Sequence, residues 1–445
     1  MPESPDLSRR FLLIRQPSDA GITSESRFRK TLTKNELKAR TMISVDEALT
    51  RTLQATTIGA IETTDILKAL GCVLAEDIRS DIDMPPFDKS SMDGYALRAG
   101  DCKDVPAILK VVGTIPAGAY PEFSVEQGEA AKIMTGAPIP AGADSVQMVE
   151  KTGIPADGGC VSILEPVGLG KHIALRGEIM RAGNTVLATG TYLSPAVVGV
   201  LATVGKHAVK VYKRPQVAIL VTGDELVEVA QKPAAGQIRN SNGYTLYHQV
   251  LATGAVPRML GVVSDRMDDL RAKIKEGLAS DILLISGGVS MGEFDFVEDV
   301  LAEYHVSIYY DKINIKPGKP TVCGKTERTL IFGLPGNPVS ASTIFEIFVR
   351  PAIRKTMGFE KLHNLQVPAT LAASFASKTA RTSYQPATTT FRNGAFFVTP
   401  VPSKGSADVL AFARSNSFVI APADQSEFNA GDQVKVMLRF DFWQQ

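Results

Sequence analysis

Three apolar runs in this 445-residue chain each lead into a turn or bend that carries an acid. "QVAILV" leads into "TGDEL" with Asp224 and Glu225, "RMLGVV" into "SDRMDD" with Asp265, and "DILLIS" into "GGVSMGEFD" with Asp295. Taken singly, Asp224, Asp265 and Asp295 read as caps for the helices that follow, since an Asp side chain accepts from the free N–H groups of a first turn. Taken together on one rim, they repel unless one is protonated or a hard cation is shared. Mg2+ bound by one or two carboxylates plus phosphate oxygens is the common solution, and it would explain acids near an anion-binding bend. The bend at "SGGVSMGEF" points the same way. Gly287 and Gly288 let the backbone approach an oxyanion and Ser290 adds a hydroxyl, yet the segment has neither of the glycine spacings of the usual phosphate loops. Acids beside such a bend imply a cation between them and the anion.

Positive charge and neutral donors come from two later turns. "NIKPGKP" carries Lys316 and Lys319 on a turn set by Pro317 and Gly318; such lysines are either solvated surface charge or, with prolines restricting their direction, an anion site. "LPGNPVSAS" puts Pro335 and Pro338 around Gly336 and Asn337, directly before a helix. It is either a structural turn or a frame for an anion drawn to the helix start, where Ser340 adds a hydroxyl. Two Gly/Pro-framed stretches also stand out, "PPFDKSSMDGYALR" with Asp88 and Asp93 and "IMTGAPIPAGADSVQMVE" with Thr135. Turn chemistry by itself accounts for either.

The elements that must hold these residues follow from periodicity. The length favours two to four domains of about 100–200 residues each. A formal charge of +1 with 44% hydrophobic residues argues against a general draw to nucleic acid or membrane. Cys72, Cys102, Cys160 and Cys323 are far apart, with no C-x-x-C pair, which fits a reducing cytoplasm. Residues 1–41 contain one short apolar run and read as a mobile leader, neither signal peptide nor membrane span. From "MISVDEALTRTLQATT" a helix is expected, with Ser44 as N-cap and a capping box to Glu47. A second helix, "SPAVVGVLATVG", is expected to pack beside it. The pair forms a discontinuous helical linker of 42–80 plus 176–213 around a β-rich insertion at 81–175. From 214 to 360 strands and helices alternate, predicting a parallel sheet with helices on both faces. Residues 361–445 read as a compact β-barrel or sandwich with no helical period. The fold class is therefore multidomain α/β, with a three-layer αβα domain whose strand ends carry the acids, where ligands of open α/β sheets bind.

Six strings, "FDKSSMDGYA", "MTGAPIPAGAD", "TGDEL", "SGGVSMGEFDF", "IKPGKP" and "LPGNPVSAS", occur in this order and closely resemble the MoeA-type molybdopterin molybdenumtransferases and the matching C-terminal domain of gephyrin. The resemblance covers about 42 to 440. It implies an elongated helical linker domain, the β insertion, a molybdopterin-binding αβα domain and a C-terminal β-barrel, assembled as a homodimer whose cleft joins the αβα domain of one subunit to the β insertion of the other. It implies insertion of molybdate into adenylylated molybdopterin, with Mg2+-dependent cleavage of the phosphoanhydride and release of AMP. By the same resemblance Glu225, Asp265 and Asp295 hold the metal or position the phosphoanhydride, Asp93 and Thr135 complete the cleft from the partner subunit, and Pro335 and Pro338 shape it.

Molybdate is a tetrahedral dianion and needs cationic and neutral donors. Ser290, Lys316, Lys319, Ser340 and Arg381 of "ARTSYQ" are the candidates, with Ser406 in "SKGSAD" also facing the cleft. Arg381 reads equally as a surface arginine. The chain departs from the family pattern at Lys89 and Ser91, where Asn and Ala are more usual, and in its leader. It has room for one αβα unit, so adenylylated molybdopterin is expected from a separate adenylyltransferase and the product passes to recipient molybdoenzymes. Two other readings stand beside this one: a molybdopterin adenylyltransferase, which shares a related fold and ligand, and a gephyrin-like scaffold without catalysis.

Overall fold

In the computed structural model, which describes residues 41–155, 158–288, 296–377 and 379–442, the first helix is α1 (Val45–Ala55). Ser44 Oγ caps it, accepting from the Glu47 N–H at 3.1 Å. The Glu47 carboxylate pairs with Arg51 one turn on. Val45, Ala48 and Ala55 of α1 sit in one buried cluster with Leu246, Ile344 and Phe348, which belong to the large αβα layer described below. The helix at "SPAVVGVLATVG", α2 (Pro195–Thr203), buries Leu201 in a separate cluster with Cys72, Leu74, Ile78 and Val211. The expected packing of these two helices on each other is therefore not found. Periodicity shows that a helix has an apolar face but not which surface covers it.

After α1 the chain runs through β1 (Ile61–Asp65) into a six-stranded sheet made of β2 (Gly94–Leu97), β3 (Ala107–Ile115), β4 (Glu129–Ile133), β5 (Ser145–Met148), β6 (Thr152–Gly153) and β7 (Cys160–Ile163). Its strand order is β5–β2–β4–β3–β7–β6. Its two faces bury different clusters, Leu97, Leu109 and Val161 on one, Ala96, Ile133 and Val146 on the other, as the period-2 alternation of strands requires. The chain then returns through α2 to β8 (Ala208–Tyr212), which pairs antiparallel with β1 along all five residues of each. The connection between the β-rich sheet and the rest thus includes a two-stranded ribbon as well as helix α2.

The αβα layer comprises β9 (Gln216–Thr222), α3 (Asn242–Thr253), β10 (Val256–Val263), α4 (Met267–Gly277), β11 (Ile282–Ser286), α5 (Val297–Glu303), β12 (Ser307–Lys312), β13 (Pro320–Lys325) and β14 (Leu330–Leu334). A last helix is continuous as α6 (Pro338–Ile344), a π turn (Phe345–Val349) and α7 (Arg350–Thr356). The sheet order is β10–β9–β11–β14–β13–β12. The four strands from β10 to β14 are parallel and the last two antiparallel. Successive residues of β9 and β11 face opposite layers. Val217, Ile219, Ile282 and Leu284 pack with Leu246 and Val250 of α3 and with Ile344 and Phe348; Ala218, Leu220, Leu283 and Ile285 pack with Leu270 and Ile274 of α4 and Val300 of α5. Each fully buried Leu, Ile or Phe contributes about 1.5–3 kcal/mol of transfer free energy, so these two layers hold the strand ends rigid. Burial of Glu346, 1% exposed, is offset by donors from Gln249 Nε2 at 2.9 Å and Asn364 Nδ2 at 2.8 Å.

The C-terminal strands are β15 (Gln366–Leu371), β16 (Thr382–Arg392), β17 (Ala395–Pro400), β18 (Ser417–Ala421) and β19 (Gln433–Leu438). They close in the order β16–β17–β15–β19–β18 and back to β16, giving a five-stranded barrel around Val398, Val419 and Val436. A short helix, α8 (Val409–Ala413), capped by Asp408 through the Ala411 N–H, interrupts the β pattern. Five residues are too few for a helical period to show in sequence. Among the described residues no helix is long and apolar enough to cross a membrane.

Candidate active site

The carboxyl ends of β9 and β10 bring Asp224, Glu225 and Asp265 together. The Asp265 N–H donates to Asp224 Oδ1 at 3.1 Å. Neither acid caps a following helix: the residue at the N-cap of α4 is Arg266, and α3 begins well beyond Asp224. Burial, reinforced by the negative charges of Asp224 and Glu225, raises the Asp265 carboxyl above its usual range. The acids are thus crowded where no described cation offsets them. Among the described residues no group of three or more His, Cys, Asp and Glu side chains is arranged around one metal position. Asp295 and Ser290 lie outside the described residues.

The glycine bend meets this rim from below. Gly287 has φ +96° and Gly288 φ +63°. A Cβ on Gly287 would lie 2.5 Å from the Thr222 carbonyl oxygen, and one on Gly288 would lie 2.8 Å from Thr222 Oγ1. Both residues are glycine because the backbone is left-handed and passes over Thr222 with no room for a side chain. Asn242, the first residue of α3 and 8% exposed, ties the bend to the proline-framed turn. Its Nδ2 donates to Ser286 Oγ at 2.9 Å and to the Gly336 carbonyl at 2.7 Å. The Gly287 N–H donates to Leu334 O at 3.0 Å, which brings Pro335 and Pro338 beside the same bend. The sequence marks Asn242 only as a helix start; its two acceptors lie 44 and 94 residues away.

A second group forms on the far side of that turn. Ile315 and Lys316 pair in parallel with Thr382 and Ser383, and Arg381 Nη1 donates to Ile315 O at 3.2 Å. Gly318 sits against Ile344 of α6, with its Cβ position 2.5 Å from Ile344 Cδ1. Lys316 and Lys319 are exposed and make no ion pair among the described residues. Ser340, in the first turn of α6, is 4% exposed, and the neighbouring Val339 N–H donates to Ser406 O at 3.0 Å. Lys316, Lys319 and Arg381 thus belong to segments that pack toward the end of α6, while Ser340 and the Ser406 loop lie at its start.

Asp93 and Thr135 stand apart, at the ends of β2 and β4. Asp93 Oδ1 accepts from the Thr135 N–H at 2.6 Å and from Thr135 Oγ1 at 2.8 Å. These bonds, the backbone one first, hold the Asp93 carboxyl below its usual range. They favour the ionised form, so their support is present above the usual carboxylate pKa and is lost as pH falls through the lowered value. In Thr135→Val one bond goes and the other stays. The Asp93 pKa, followed by carbonyl-carbon NMR, should rise part of the way back, and an unmoved titration would show that the hydroxyl does not support the charge. Asp88 is used differently, its Oδ1 accepting from the Arg176 N–H at 2.7 Å. Among the described residues no hydrogen bond, ion pair or strand pairing joins Asp93 or Thr135 to the αβα rim.

Comparison with known proteins matches three successive stretches of the chain. Residues 43–205 match the MoeA N-terminal region (domain I and II), 218–355 a probable molybdopterin binding domain, and 368–438 the MoeA C-terminal region (domain IV). A Bacillus subtilis protein named molybdopterin molybdenumtransferase is 35% identical over 409 residues, covering 90% of this chain and 95% of the relative. The chain belongs to the molybdopterin molybdenumtransferase family. A Staphylococcus aureus member of the family is also 35% identical, with 90% of this chain and 97% of the relative covered. The crystal structure of a molybdopterin biosynthesis MoeA protein from Pyrococcus horikoshii superposes with a TM-score of 0.77 at 30% identity, over 89% of this chain and all of that one. Within the family match, the rim acids and both lysines fall in the probable molybdopterin binding domain, Asp93 and Thr135 in the N-terminal region, and Arg381 in the C-terminal region.

Proposed function

We propose that this chain inserts molybdenum into molybdopterin: it takes adenylylated molybdopterin and molybdate, places the metal on the dithiolene sulfurs and releases AMP as the phosphoanhydride breaks. The observation that carries this reading is the match to relatives of that printed name across 90% of the chain. The geometry supports it. A crowded carboxylate rim and a cationic, hydroxyl-bearing group flank one proline-framed turn, which suits a substrate that brings a phosphoanhydride to one side and an oxyanion to the other.

Lys316, Lys319 and Arg381 would draw and neutralise molybdate, with Ser340 and Ser290 as neutral donors that release it again. Gly287 and Gly288 would shape the cleft by letting the backbone pass close over Thr222. The rim also fits Mg2+, because Asp265 is held above its usual range by burial and by Asp224 and Glu225, a strain that a shared cation relieves. Glu225 and Asp265, with Asp295, would hold the ion, and bound Mg2+ would withdraw charge from the phosphoanhydride. Asp93 and Thr135 have no described link to the rim of their own chain, which supports a homodimer in which they complete the partner's cleft.

The working division of the chain is then a leader (1–41), a linker (42–80 plus 176–213), a β insertion (81–175), the molybdopterin-binding αβα domain (214–360) and the barrel (361–445). Four unpaired cysteines suit the reducing cytoplasm, where a separate adenylyltransferase would supply the substrate and molybdoenzymes would receive the product.

Purified protein with Mg2+ and adenylylated molybdopterin is expected to release AMP only when molybdate is added, read by chromatography of the nucleotide. AMP release that ignores molybdate, or consumption of ATP in its place, would exclude this function.

A further inference from the structure

A cavity of about 360 Å3 opens beside the acid rim, lined by Glu228, Asn240, Tyr244, Tyr247, His248, Met259 and Gly261. Its volume lies in the range of small-molecule sites, about 300–1,000 Å3. One wall is a face of α3, where Tyr244, Tyr247 and His248 are three and four residues apart and so point the same way. The floor is the edge strand β10. There the register against β9 jumps from Ile219–Met259 to Leu220–Gly261, so Leu260 is an extra residue, and Gly261 has φ +88°. This bulge bends the strand, and the space over Gly261, with no atom within 4 Å of its Cβ position, is left open. Glu228 at the mouth is exposed and makes no ion pair among the described residues. The carboxyl end of β10 leads directly to Asp265, which at about 3.3 Å per residue is at most about 13 Å from Gly261.

We propose that this cavity receives the pterin ring of the substrate, with Glu228 binding its amino-pyrimidinone edge and the tyrosines of α3 lying against its face. The proposal rests on the function proposed above and assigns the part of the substrate that the rim leaves unassigned. The chemistry selects pterin over adenine, the other heterocycle of the same substrate. The 2-amino group and N3–H of a pterin are two parallel donors that match the two oxygens of a carboxylate, as a guanidinium does. Adenine places a ring-nitrogen acceptor beside its amino group, and a carboxylate repels that acceptor. Flat heterocycles also gain from aromatic contact at low cost in side-chain order. Seated there, the ring would direct its substituent along β10 toward Asp265.

The test uses full-length protein, fluorescent 6-hydroxymethylpterin as one probe and AMP as the other. Wild-type protein should bind the pterin, measured by quenching. Glu228→Gln, which replaces one acceptor oxygen by a donor, should weaken pterin binding by about tenfold or more, and Tyr244→Ala should weaken it as well. AMP binding, measured by equilibrium dialysis, should be unchanged in both. Both side chains are exposed, and equal melting temperatures would show that the fold is kept. No pterin binding by wild type, unchanged pterin binding in both variants, or loss of AMP binding in place of pterin binding would overturn the assignment. The molybdate-dependent AMP release of wild type is scored separately. Its failure would count against the transferase reading, whereas pterin binding indifferent to Glu228 and Tyr244 would count against the cavity alone.

Discussion

Asp265→Asn is expected to lower molybdate-dependent AMP release by a factor on the order of 10²–10³, the scale of removing one group that stabilises developing charge. Folding stability should stay level or rise slightly. The reason for the split is local. The Asp265 carboxyl is partly buried and faces the negative charges of Asp224 and Glu225, so its ionised form is disfavoured in the free protein. Asn keeps the shape, and its backbone N–H still donates to Asp224. What it loses is the charge that would hold a cation. Turnover measured beside a urea unfolding curve separates the two effects, and binding of 6-hydroxymethylpterin should be retained. Wild-type turnover in the variant would reduce Asp265 to a clasp between two loops. Asp295→Asn should likewise abolish turnover while leaving pterin binding measurable, because losing a proposed metal ligand would cost chemistry more than docking.

Asn242→Ala should lower both stability and kcat, by a different route. The side chain donates to two acceptors on separate turns, Ser286 Oγ and Gly336 O, inside a closed part of the fold. Truncation leaves both without that donor and costs about 1–3 kcal/mol. It also frees the glycine bend from the turn holding Pro335 and Pro338, and a loss of positioning of about 1 Å can cost on the order of 10²-fold in rate. Asn242→Asp, similar in size but unable to donate twice, should behave like the alanine variant. Asn242→Gln, which keeps both donors one methylene further out, should recover part of the rate. A fall in the unfolding midpoint with unchanged kcat would mean that Asn242 supports the fold without positioning the site.

Much of the site was already visible in the order of residue types along the chain. Apolar runs followed by Asp224, Asp265 and Asp295 mark strand ends, because the β period and the turn residues after it are local properties. In a parallel sheet such ends share one edge whatever the loops do. The alternation of layers in β9 and β11, the Ser44 cap and the glycine bend were readable for the same reason. Apart from a local one at Glu47, the departures were long-range. The Glu47 half of the expected capping box was taken by Arg51, and α1 found its cover in the αβα core in place of α2. Antiparallel β12 and β13 extended a sheet expected to be parallel, since "SIYYDK" and "PTVCGK" carry no mark of their direction. Among the site residues, Asp224 accepts from the Asp265 N–H in place of capping a helix. The bond from Thr135 to Asp93 spans 42 residues, and that from Asn242 to Gly336 spans 94. By itself, then, the sequence determined which residues carry charge, which bends need glycine and which strand ends lead into acids. Tertiary structure alone decided which of those groups touch, because a hydrogen bond depends on separations of a few ångströms between segments whose approach is set by the packing of the whole core.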